Sequence, residues 1–219
     1  GTMPSHMLEN KELLLQAHDL ECTRDDRLLF SELSFSVSGG EVLQIEGSNG
    51  SGKTSLLRIL CGLRIADEGI VHWQQRDISK EREDFYSSMV YIGHLPCIKA
   101  ELTALENIRS LLDTRSLSAG VDEILGALGR VGLAAYDDVQ SKALSSGQKR
   151  RILLAFLLLS KTKLWILDEP LTALDVDGVA LMETMILEHK QQGGSVIFTT
   201  HHGMKLPCEM RSVHLGKVS

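Results

Sequence analysis

The sequence predicts an α/β fold with a mainly parallel core sheet, and three observations predict it. Short apolar runs alternate along the chain with segments of helical periodicity. Leu164–Leu167 is fully apolar, as in a parallel strand buried on both faces, and Ser195–Thr199 reads as a second buried strand. Glu41–Glu46 alternates apolar and polar residues and ends in a glycine-rich turn that leads directly into a helical stretch, Thr54–Leu60.

The other elements follow in order. Leu13–Leu20 and Leu33–Val37 read as short strands near the start, and Ser88–Ile92 as another. From about Thr103 to Leu133 the periodicity is helical, with few β-branched residues; a further helix is expected over Ser146–Ser160 and another over Gly178–His189. The helical stretch in the middle, about 96–160, is expected to form a subdomain inserted in the core. Residues 8–219 are expected to form one domain, and residues 1–7 read as an expression remnant.

The chain has 219 residues, 43% of them hydrophobic and 24% charged, which is the balance of a globular protein. A net charge of −6 argues against a broad nucleic-acid-binding face, and the run Lys149-Arg150-Arg151 reads as a solvated helix face. Cys22, Cys61, Cys97 and Cys208 lack metal-site spacing and read as reduced, mostly buried thiols. His18, His72, His189 and His214 are scattered and read as structural or exposed. The most apolar stretch, Ile152–Leu159, is far short of the ~20 residues of a spanning helix, so a membrane role would require another chain.

Chemistry concentrates in a few places. Gly47-Ser48-Asn49-Gly50-Ser51-Gly52-Lys53-Thr54 matches the P-loop pattern without a gap, and Ser55 follows it. A triphosphate is concentrated negative charge. Successive backbone N–H groups, a helix start and one lysine all present positive charge to it, and glycines let the backbone curl close. Lys53 is expected to reach the β- and γ-phosphates and the Thr54 hydroxyl to ligate Mg²⁺.

Downstream, Leu164–Leu167 ends in Asp168-Glu169. Ligand sites lie at the carboxyl ends of such strands. Asp168 is placed to hold Mg²⁺, directly or through water, and Glu169 to act as general base on the attacking water.

Leu144-Ser145-Ser146-Gly147-Gln148, just ahead of that strand, resembles the ABC signature motif. Ser146 and Gly147 can offer a hydroxyl and backbone N–H groups to a γ-phosphate, although Ser-Ser-Gly would also serve as a plain helix cap. Leu174-Asp175 resembles the D-loop, and His201 the switch histidine that contacts the γ-phosphate; His202 reads as a solvated neighbour.

With these motifs the chain is identified as similar to ABC-type nucleotide-binding domains from about Leu13 to Leu215. Those domains have a RecA-like P-loop NTPase core, an antiparallel β subdomain and a helical subdomain. Leu28–Ser31, Val42–Gly47, Tyr91–His94, Glu101–Asn107, Leu164–Gly178 and Gln192–His202 resemble in particular the ATP-binding subunit family of haem exporters in cytochrome c maturation. The resemblance implies ATP and Mg²⁺ as ligands and a head-to-tail dimer in which each ATP touches one chain's P-loop and the other's signature. It also implies a separate transmembrane permease, on the cytoplasmic face of the bacterial inner membrane, and transport of haem or release of a haem-loaded chaperone. No nucleic acid is implied.

The chain departs from the family at three positions. Leu95 stands where the Q-loop glutamine is expected, Cys97 where glycine is usual, and Arg24 at the adenine-stacking position, where a guanidinium can also stack. An ATP-gated assembly module with weak hydrolysis, and an exporter ATPase for another substrate, stand as alternatives.

Overall fold

The structure is a computed structural model that describes residues 12–93, 97–201 and 204–216. Two sheets organise it. The first is four-stranded and antiparallel, in the order β2-β1-β4-β5, with β1 Leu13–Arg24, β2 Arg27–Ser38, β4 Glu68–Trp73 and β5 Arg76–Asp77. The second is five-stranded and parallel, in the order β6-β7-β8-β3-β9, with β3 Val42–Glu46, β6 Met89–Ile92, β7 Leu164–Asp168, β8 Ser195–Thr199 and β9 Arg211–His214. Helices α1 Lys53–Leu60, α2 Arg82–Ser88, α3 Ala104–Thr114, α4 Val121–Arg130, α5 Ser146–Ser160 and α6 Val176–Gln191 complete the described elements of more than one turn.

Every residue of β7 and β8 is buried, as central parallel strands require. Their side chains alternate between two apolar cores. Leu164 and Ile166 face one core with the antiparallel sheet and α1, while Trp165 and Leu167 face the other with α3, α4 and α5. Trp165 stacks on His189 of α6, ring centroids 3.9 Å apart, so that histidine is structural, as expected. Burial holds its imidazole below the usual histidine pKa.

The first hairpin is longer than the sequence indicates. Its turn is Asp25-Asp26, both at positive φ, as a two-residue type I′ turn demands. Gln74-Gln75 makes the same kind of turn between β4 and β5. The helical stretch expected from Thr103 to Leu133 divides at residues 115–120, where Ser116 takes positive φ and Gly120 caps α4. Asn107 fixes the entry to α3: its side chain accepts from the Lys99 N–H and donates to surrounding oxygens, with Ser141 Oγ at 2.9 Å. Of the four thiols only Cys22 and Cys61 are buried; Cys97 is exposed and Cys208 half-buried, which corrects the expectation of mostly buried thiols. Among the described residues no helix is long and apolar enough to cross a membrane.

Candidate functional site

Parallel pairing aligns three strand ends. Asp168 of β7 pairs with Thr199 of β8, and Thr199 with Ile45 of β3, so the loop after β3 emerges beside the carboxylates after β7. The cleft there has a volume of about 210 Å³ and is lined by Arg24, Asn49, Gly50, Gly52, Lys53, Thr54, Ser55, Asp168, Glu169 and His201. A larger cavity of about 360 Å³ lies at the opposite end of the sheet, beside residues that precede β7 and β8, and carries none of these groups.

The loop has the shape its glycines permit. Gly52, at φ 99°, caps α1 with no side-chain bond, and a Cβ there would meet Leu29 Cβ at 3.0 Å. The backbone therefore turns so that the free N–H groups of the α1 start adjoin the cleft. Lys53 is buried, and its Nζ lies 3.5 Å from His201 Nδ1. Arg27, which sequence reasoning missed, donates from Nη2 to the Gly50 carbonyl.

Asp168 and Glu169 are buried and fixed from several sides. Thr54 Oγ1 donates to Asp168 Oδ2 at 2.8 Å, and Thr199 Oγ1 donates to Asp168 Oδ1 at 2.7 Å. The Glu169 N–H donates to Thr199 Oγ1 at 3.0 Å, while its Oε2 accepts from the His201 N–H at 3.1 Å. His201 Nε2 lies 3.1 Å from Glu169 Oε1. With Lys53 donating to Nδ1, the Nε2–H donates to that carboxylate. Burial, then the charge of Asp168, pushes the nearby Tyr91 phenol up to about 12, so it stays neutral beside the site.

Leu144–Gln148 do not line this cleft. They begin α5 instead: Ser145 is the N-cap, its Oγ accepting from the Gln148 N–H at 3.1 Å and its own N–H donating to Gln148 Oε1 at 2.9 Å. A Cβ on Gly147 would come within 2.9 Å of the Ala173 carbonyl, so this helix start packs directly on the loop before Asp175. Asp175 caps α6 by accepting from Gly178 N–H at 2.8 Å and meets Arg151 at 3.1 Å; these two contacts hold its carboxyl below the usual range.

Two corrections follow. The run Lys149-Arg150-Arg151 is not a solvated face: Arg150 is buried and donates to the Glu169 carbonyl at 3.1 Å, and Arg151 reaches the Val131 carbonyl and Asp175. Thr199, read only as part of a strand, stands between both carboxylate residues. The positions of His94, Leu95 and His202 lie outside the described residues.

A glycine-rich loop after a parallel strand, with a lysine and two carboxylate residues converging on it, has the form of a P-loop ATPase, and the capped Ser-Ser-Gly-Gln helix start gives it the form of the ABC class. Comparison with known proteins agrees. The family described as ABC transporter matches residues 30–172. The cytochrome c biogenesis ATP-binding export protein CcmA of Aliivibrio fischeri is 46% identical over 208 residues, which cover 93% of this chain and 100% of that protein. The protein of the same name from Hahella chejuensis is 48% identical over 206 residues, 94% and 97% of the two chains. A solved ATP-binding cassette of an ABC transporter, in its ADP conformation, superposes with a TM-score of 0.72 at 25% identity, covering 87% of this chain and 82% of the other. The chain belongs to the family of cytochrome c biogenesis ATP-binding export proteins, within the ATPases of ABC transporters.

Proposed function

We propose that this cleft binds ATP with Mg²⁺ and hydrolyses it to drive an export step in cytochrome c biogenesis, with haem or a haem-loaded chaperone as the transported or released species. The observation that carries the reading is the position of the Glu169 carboxylate. It is buried at the end of β7 and held by both the backbone and the ring of His201, next to the Thr54–Asp168 pair.

In this reading Gly47–Thr54 and the α1 start cradle the phosphates, and Lys53 neutralises charge on the β- and γ-phosphates. Arg24 is exposed at the rim, placed to stack on the base. Thr54 and Asp168 are a hydroxyl and a carboxylate 2.8 Å apart, hard oxygen donors that suit Mg²⁺. Bound there, the ion would offset charge developing on the phosphate oxygens. Glu169 accepts the proton of the attacking water as its oxygen bonds to the γ-phosphorus and the bond to ADP breaks. His201 orients that carboxylate and senses the γ-phosphate.

The signature Leu144–Gln148, which does not line the cleft of its own loop, serves a second copy, in a head-to-tail dimer with Asp175 at the contact. The helices within about 96–160 act as the helical subdomain of one ATPase domain. A separate permease supplies the membrane spans, and the chain works at the cytoplasmic face of the inner membrane.

A second reading is favoured by one residue. Leu95 has no polar group with which to orient water, which fits an ATP-gated dimer with slow hydrolysis.

Steady-state hydrolysis by the chain purified with its permease, against Glu169→Gln, tests the proposal. We expect wild-type turnover about a hundredfold above the variant. Equal rates would reject hydrolysis and leave the gated dimer.

A further inference from the structure

Arg150 is 5% exposed on α5, and its described hydrogen bond runs from Nη2 to the Glu169 carbonyl oxygen, 3.1 Å away. No ion pair to Arg150 occurs among the described residues. Burying a guanidinium is costly, and the charge of nearby Asp168 offsets only part of that cost, so its position calls for a compensating role.

The acceptor is an unusual one. Glu169 is in the left-handed region at φ 52°, a conformation that a residue with a Cβ adopts at a cost and keeps only when its surroundings hold it. Contacts at every polar group hold it. Its N–H goes to Thr199 Oγ1, its carboxylate takes the His201 N–H and lies 3.1 Å from His201 Nε2, and its carbonyl takes both the Thr172 N–H, at 3.2 Å, and Arg150. Thr199 and His201 belong to β8 and the residues after it, and Thr172 to the loop that follows Glu169 itself. Of these described partners only Arg150 comes from α5, the helix capped by Ser145 and Gln148. That capped start and Arg150 lie within the first two turns of one rigid helix, so a shift at the cap moves the guanidinium with it.

We propose that Arg150 is a positioning residue that ties the general base to the signature helix of its own chain. Engagement of Ser145–Gln148 by the partner copy's nucleotide then sets the backbone, and through it the carboxylate, of Glu169. Each site becomes competent when the other is filled. The inference rests on the composite-site reading above.

The test uses Arg150→Met, which keeps length and apolar bulk but cannot donate, and Arg150→Lys, which restores a cationic donor. Both are compared with wild type and Glu169→Gln for kcat, KM, the Hill coefficient in ATP, and affinity for a fluorescent ATP analogue. The expected result is a fall in kcat of about tenfold or more in R150M, the loss of one charged hydrogen bond, with KM and analogue affinity within about twofold. The Hill coefficient falls from above 1 to 1, and R150K recovers part of both. Wild-type kcat and Hill coefficient in R150M would overturn the proposal. So would a loss of analogue affinity in parallel with kcat, which marks a merely structural role. A wild-type rate no higher than that of E169Q would instead reject the hydrolytic reading, and this inference with it.

Discussion

Thr199 Oγ1 donates a 2.7 Å hydrogen bond to Asp168 Oδ1 from the neighbouring strand, in a position with no solvent exposure. The same oxygen accepts the Glu169 N–H. Thr199→Val keeps the shape of the side chain and removes both bonds. It is expected to cost about 1–3 kcal/mol of stability, because a buried carboxylate and a buried N–H each lose a partner. Denaturant unfolding measures that cost, and a turnover assay on the folded variant is expected to show a lower kcat.

Lys53 is the buried cation of the cleft. Lys53→Ala is expected to weaken ATP binding by on the order of a hundredfold, the value of one charge-assisted phosphate contact at the upper end of the usual range. Titration with a fluorescent ATP analogue checks this. Tight binding by the variant would contradict the phosphate cradle.

Asn107 is 1% exposed and joins Lys99, Leu102, Thr103 and Ser141 through one amide. Asn107→Ala strands the Lys99 N–H and opens the segment ahead of α3. A loss of about 2–3 kcal/mol is expected in chemical unfolding, with nucleotide affinity unchanged because the residue lies outside the cleft.

His189 makes stability depend on pH. Burial lowers its pKa in the folded state, so the unfolded chain takes up a proton first as pH falls. The stability due to the neutral, stacked ring is present above the ordinary histidine pKa near 6.5 and is lost as pH falls through the folded value. Unfolding midpoints at pH 7.5 and 5.5 are expected to differ more for wild type than for His189→Phe, which keeps a stacked ring but cannot titrate.

Leu95→Gln is expected to raise turnover on the order of tenfold if an oriented water contact is what the chain lacks, with analogue affinity unchanged. An unchanged rate would mean that other groups orient the water.

Residues whose type and spacing the chemistry dictates were legible in the sequence. Gly47–Thr54 and Asp168-Glu169 cannot be spelled many other ways, and the structure brings Asn49, Gly50, Gly52, Lys53 and Thr54 of the loop into one cleft with both carboxylate residues. Thr199 and Arg150 were not legible, because their roles depend on which residue stands opposite in the sheet and which helix face is buried. Consecutive charges at 149–151 read as solvent-facing until α5 is seen packed between α3, α4 and β6. The β1–β2 hairpin was read short because Asp25-Asp26 makes a left-handed turn without glycine or asparagine to mark it. β9 is a mostly exposed edge strand whose polar residues give little signal.

The two apolar cores on either side of β7 and β8 also divide how the protein can fail. One core holds α1 and the antiparallel sheet beneath the phosphate loop, and the other holds α3, α4 and α5. Heat-sensitive lesions are therefore expected in two classes. Those at Leu56 or Val71 should lose nucleotide outright. Those at Ile124 or Leu128 should keep it while the layer that presents Ser145–Gln148 opens locally, leaving a chain that is loaded but unable to signal to its counterpart. Amide hydrogen exchange with nucleotide present would tell the classes apart.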